Sequence, residues 1–407
     1  MACVIGWLLA CTGTTGAGPV PDASPDRAAP PPDSATRDDA TVTPIEDASL
    51  VPDADASPPP DAMPMPTGVP IFMAQGYMGR TIISCDEGRS WVHEQFAAGV
   101  GITECGDPTT ARCMRNGCDC DHNTGAAKGV AYRDGWFYAL FGWGTPSTVW
   151  RTQNGIDWET ELLPEMYGGI AAGNDVLLLG NRRWRRIPSG AMESEGLPYY
   201  QFQSSTGQNV NAVRRMFFSP VNGGVFLTFA SNAARALAIS RDDGQSWASP
   251  RSLPDECTDN LVSVASSNTS VVMMNRRGVV CQSDDGGDTW TRNNMGEDIF
   301  GGPVWVTGRA TPAFLAWSQD RVYESTDGKS WASTETSPGR VRLEHVAVSD
   351  SGAFVANLAG FNNWYENQAM YYSADGVTWT RTADDKFPGG HRIRYIAFGY
   401  ADPSACE

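Results

Sequence analysis

From Val69 onward, short apolar runs alternate with turn residues, and no stretch shows the three-to-four-residue hydrophobic period of a helix. GVAYRDGWFYALFG (Gly129 to Gly142), LVSVASSNTSVVMM (Leu261 to Met274) and LEHVAVSDSGAFVANL (Leu343 to Leu358) each read as two strands joined by a tight turn. A third strand follows each hairpin and ends in a polar box: a small hydroxyl residue, an Asp or Asn two positions on, a Gly, and a Trp that opens a fourth strand. Six boxes occur: SCDEGRSW (Ser84 to Trp91), TQNGIDW (Thr152 to Trp158), SRDDGQSW (Ser240 to Trp247), SDDGGDTW (Ser283 to Trp290), STDGKSW (Ser325 to Trp331) and SADGVTW (Ser373 to Trp379). A four-stranded unit that recurs is the blade of a β-propeller.

Trp-to-Trp spacings of 43, 41 and 48 residues fit one blade each. The spacing of 89 is twice that, and within it GGIAAGNDVLLLGNRRWRRIPSG (Gly168 to Gly190) reads as a degenerate blade without a box. The spacing of 67 holds one blade and a cysteine-rich insertion, residues 97–127. The expectation is therefore all-β, with seven four-stranded antiparallel blades. The first unit has room for only two strands before its box, and HRIRYIAFGY (His391 to Tyr400) is a first strand with no successor. The C-terminal strand is expected to complete the N-terminal blade and close the ring, which removes free sheet edges. Cys85 and Cys406 then fall on one face of that blade and are expected to form a disulfide.

Composition changes the picture mainly at the N-terminus. Residues 1–11, MACVIGWLLAC, resemble a bacterial lipoprotein signal in which Cys11 receives the lipid. Residues 12–66 are rich in Pro, Ala and Asp, with ten acidic residues against two Arg. Such a segment buries too little apolar surface to order itself, so it reads as a disordered stalk before a propeller at 67–407. The expected location is the bacterial cell envelope (outer membrane or cell surface), held through the lipid alone, or secreted. The net charge of −17 argues against a nucleic-acid partner.

The boxes carry a resemblance to the Asp-box (bacterial neuraminidase repeat) propellers of the sialidase-like superfamily. Their full pattern, S-x-D-x-G-x-x-W, fits at Ser84, Ser240 and Ser283, and the other three copies are one residue shorter. The resemblance implies that the boxes join third to fourth strands on the face opposite any ligand. Asp86, Asn154, Asp242, Asp285, Asp327 and Asp375 are accordingly expected to be scaffold residues, bonding turn N–H groups. It also raises a sialidase reading. Arg186-Ile187-Pro188 matches that family's Arg-Ile-Pro motif, but it lies after two boxes instead of before the first.

Candidate chemistry then belongs on the upper face. Its long loops around the closure supply Trp143, Trp364 and Tyr365 as stacking surfaces, and His122 and Arg392 as polar ligand contacts. Asp121, Glu366, Asp384, Asp385 and His391 are the candidate catalytic groups. Further upper-face arginines are Arg182, Arg183, Arg276, Arg277 and Arg340. Cys105, Cys113, Cys118 and Cys120 in the insertion lack the C-x2-C spacing of a zinc knuckle and are expected to form disulfides, with no metal and no cofactor. With no recognisable catalytic set, the expected function is a monomeric binding module for a glycan or a protein partner. The alternative is a glycan-processing enzyme, a sialidase-like glycoside hydrolase or a polysaccharide lyase.

Overall fold

The computed structural model describes residues 68–76, 79–95, 127–142, 147–180, 184–191, 193–200, 202–203, 209–210, 213–230, 236–358, 369–383 and 393–407. They form a seven-bladed β-propeller of antiparallel sheets. The first blade takes its innermost strand, Ile393–Ala401, from the C-terminus and pairs it with Val69–Gly76, followed outward by Thr81–Ser84 and Val92–Gln95. Blades two, five, six and seven each take four consecutive strands, beginning at Ala127–Arg133, Leu261–Ser266, Gly301–Val306 and Leu343–Val348. Innermost strands of neighbouring blades lie against one another around the ring.

Two blades are abbreviated. The degenerate third blade, which begins at Gly169–Ala172, has a fourth strand of two residues, Glu195–Gly196. The fourth blade has three strands, beginning at Val213–Ser219, and its outer edge is reduced to a single bridge between Ile239 and Ala248. Indole packing seals this seam. Trp184 stacks on Trp247 with ring centroids 4.2 Å apart.

Second strands are buried throughout, as in Val271–Asn275 and Ala313–Trp317. Outer strands are polar and exposed, as in Thr291–Asn294 and Ala332–Glu335. The apolar core is correspondingly divided into clusters between adjacent blades, such as Leu315, Trp317, Phe354 and Trp379. Two disulfides are described. Cys85–Cys406 fastens the closing strand to the first box, and Cys257–Cys281 ties the turn Asp255–Thr258 to the third strand of blade five.

Candidate functional site

Connectivity gives the propeller two chemically different faces. The box turns and the turns between first and second strands share one face, here the lower. Connections between blades and the turns between second and third strands share the upper.

On the lower face every box repeats one hydrogen-bond pattern. The hydroxyl of Ser84, Thr152, Ser240, Ser283, Ser325 or Ser373 accepts from the box-glycine N–H at 2.7–2.8 Å. The Asp or Asn Oδ1 accepts from that hydroxyl and from a later backbone N–H, as Asp285 does from Ser283 at 2.8 Å and Thr289 at 2.9 Å. Two box lengths fit the same pattern because the longer boxes add one residue of positive φ, Glu87, Asp243 or Gly286, ahead of the glycine. Burial alone would raise the Asp285 carboxyl, but the bonds from Thr289 and Ser283 outweigh it and bring it down to about 2. Neighbouring blades are also tied here: Tyr400 donates to Asp350 at 2.7 Å, Ser189 to Asp134 at 2.8 Å, and Lys329 to Asp284 at 2.8 Å. This face spends its polar groups on the ring.

The upper face differs at the mouth of the central channel. In six of the seven blades the register between first and second strands shifts near the upper end of the innermost strand. The residues skipped by pairing are Arg394, Lys128, Arg214, Val262, the pair Gly302 and Pro303, and the pair His345 and Val346. A bulge re-aims a side chain and interrupts the ladder, and such irregularities gather beside functional sites. Blade three, the degenerate one, has none. His345 adopts a φ of 46°, and its ring lies 5.7 Å from that of Tyr395 in the neighbouring blade.

Beside these bulges sits an arginine pair on one aromatic ring. The Arg276 guanidinium lies 3.8 Å from the centroid of Phe300, and that of Arg342 lies 5.0 Å away. Arg276 comes from the second turn of blade five, Phe300 from the entry to blade six, and Arg342 from the entry to blade seven. Burial lowers the pKa of Arg276; the charges of Glu344 and Asp298 oppose that shift, and Arg342 adds to it. Phe300 is buried while Arg342 is exposed, so the ring is a fixed platform and the charge faces water. This cation–π arrangement sets two positive charges side by side on a protein of net charge −17.

The expected site residues fare unequally. Asp121, His122, Trp143, Trp364, Tyr365, Glu366, Asp384, Asp385, His391 and Arg392 lie outside the described residues, as do Arg182, Arg183, Cys11, Cys105, Cys113, Cys118 and Cys120. Arg276 joins the cluster; Arg277 and Arg340 are exposed on neighbouring upper loops. Arg186 instead bonds Glu195 of its own blade's outer strand. Sequence reading missed Phe300, Arg342 and the bulged Lys128, His345 and Arg394. The available signal was basic residues recurring just before and just inside the first strands of an acidic chain.

Residues 214–391 match a family model described as photosynthesis system II assembly factor YCF48. The photosystem II assembly lipoprotein Ycf48 of Synechococcus sp. (strain CC9902) is 33% identical over 142 residues, which are 34% of this chain and 41% of that protein. The chain is similar to BNR-like β-propellers. It matches about two fifths of the length of that curated relative. Among solved structures, one described as YCF48 bound to D1 peptide has a TM-score of 0.46 at 14% identity, covering 68% of this chain and 93% of that one. A virginiamycin B lyase from Staphylococcus aureus has a TM-score of 0.44 at 8% identity, covering 64% and 85%.

These matches correct the expectation of a glycan ligand or a glycan-processing activity. The matched family is described as an assembly factor and the relative as an assembly lipoprotein, and neither description carries a sugar. The geometry accounts for the error. The acid-and-aromatic rim behind the sugar reading drew on loops outside the described residues, whereas the described upper face carries the Arg276–Phe300–Arg342 cluster. The matches also do not single out the sialidase-like superfamily.

Proposed function

We propose that this chain is a polypeptide-binding propeller of the assembly-factor kind, and that the mouth of its channel holds an acidic segment of a protein partner. The observation that carries the reading is the Arg276–Phe300–Arg342 cluster beside the ring of bulges. Guanidinium groups take carboxylates with two parallel N–H bonds, and an arriving anion would offset the desolvation already borne by Arg276. The matched region, residues 214–391, contains all three cluster residues, and the relative is named an assembly lipoprotein. In this reading Cys11 is the lipid attachment point, residues 12–66 the stalk and 67–407 the presenting domain, in a bacterial envelope.

The test is fluorescence polarisation with short labelled peptides of acidic, neutral and basic composition. Acidic peptides should bind, and the double variant R276A/R342A should weaken them by roughly tenfold or more, the scale for losing charge-assisted contacts. Equal binding of basic peptides, or full affinity in the double variant, would sink the proposal.

A further inference from the structure

The strand Ile393–Ala401 reaches both faces of the ring. Its upper end carries the bulged Arg394 and Tyr395, the latter against His345. Its lower end runs into the turn Pro403–Cys406, whose last residue is bonded to Cys85. We infer that the Cys85–Cys406 disulfide is a thiol-operated latch that holds this strand in register and so sets the channel mouth. The binding half of this inference rests on the docking reading above.

Three observations support the coupling. Among the described residues the strand's only sheet partner is Val69–Gly76, with one continuous register from Val69 to Gln75 that ends at the upper-end bulge beside Gly76, so what fixes this pairing also fixes the position of Arg394. A one-residue slip reverses which side chains face the core. Noncovalent ties exist at both ends. Asn357 donates to the Ile393 carbonyl at 2.8 Å, and Asp402 N–H donates to Gln153 at 2.8 Å. Among the described residues, the disulfide is what makes the closure covalent, across 321 residues of chain.

The two described disulfides also differ in access. Cys406 is exposed, whereas Cys257 and Cys281 are 1% and 0% exposed. A dithiol can therefore reach the latch first. Its thiolate attacks Cys406 Sγ, the S–S bond breaks, and Cys85 leaves as a thiolate that takes a proton. The second thiol of the reagent then resolves the mixed disulfide and releases Cys406 as a thiol. Two electrons pass to the protein, and the reagent ends as a disulfide.

Hydrogen exchange measured by mass spectrometry tests the latch with no ligand present. Mild dithiol treatment of the native protein, with the reduced cysteines mapped by alkylation, should open Cys85–Cys406 before Cys257–Cys281. Amides of Ile393–Ala401 and Val69–Gly76 should then lose about tenfold or more in protection, while blades five and six keep theirs. The variant C85S/C406S should show the same pattern without reductant, and an acidic peptide should bind it more weakly than the native chain. Unchanged protection in both the reduced protein and the variant would overturn the latch, as would reduction of the buried pair first. Failure of the peptide to bind the oxidised native protein would overturn the docking reading instead, with the exchange result still deciding the latch.

Discussion

At the scale of single residues, the box carboxylates show how one side chain can serve a fold without serving a ligand. Asp285 sits at about 2, and Asp86, Asp242, Asp327 and Asp375 are all lowered too. For Asp327 the largest cause is the backbone N–H of Ser330; for the other three lowered groups, hydrogen bonds overcome an opposing effect of burial. A folded-state pKa below the unfolded value stabilises the protein above the unfolded value, near pH 4, and that stability is lost as pH falls toward the folded value. Unfolding free energy should therefore drop as pH is lowered from about 5 to about 2. Asp285→Asn should cost roughly 1 kcal/mol at neutral pH, discounted for solvent at a turn, and should flatten that drop. Denaturant titrations across that range check both. An unchanged pH slope in the variant would mean that Asp285 contributes nothing to acid sensitivity.

At the scale of elements, the seam between blades three and four carries the greatest local risk, because both outer strands there are abbreviated. Trp184, 1% exposed, sits in the core cluster between these blades, and it stacks on the box tryptophan of blade four. Trp184→Ala should cost about 3–5 kcal/mol, the range for emptying a large aromatic from a core. Exchange should rise first in Trp184–Pro188 and Leu237–Ser240. A loss below 1 kcal/mol would show that Trp247 and Leu197 close the gap unaided. Seven blades, the degenerate third unit and the shared first blade were all legible in the sequence, because box turns and strand alternation are local signals. The bulges were not: register depends on which residues face each other across two strands, and no local pattern records Lys128 or His345 as skipped. The arginine pair was half legible. Arg276 could be placed on the upper face by its turn, but its meeting with Arg342 over Phe300 joins three blades. The pairing of Cys257 with Cys281 likewise needed the fold, since an even count of cysteines does not say which ones meet.

At the scale of the whole molecule, closure decides whether the ring is one cooperative body or an open stack with a sticky end. Val69–Gly76 is buried over its last six residues and is sheathed by the closing strand through its full length. Removing residues 393–407 would turn it into an exposed apolar edge and would empty Ile393, Ala401 and Ala405 from the clusters on either side of blade one. The opposite margin of a blade behaves differently. Thr291–Asn294 is exposed along its length and polar, so an outer edge already tolerates water. The truncated chain should therefore self-associate, whereas the full chain stays monodisperse. A peptide spanning residues 393–407, added in trans, should restore the monomer by supplying the missing strand. Light scattering coupled to size-exclusion chromatography reads both outcomes. A monomeric truncation with an unshifted melting temperature would show that the inter-blade cores alone hold the ring, and that the C-terminal strand contributes no closure. Such a result would be hard to reconcile with the position of Cys406, since a covalent tie at that point gains most when the strand it secures separates a closed ring from an open one.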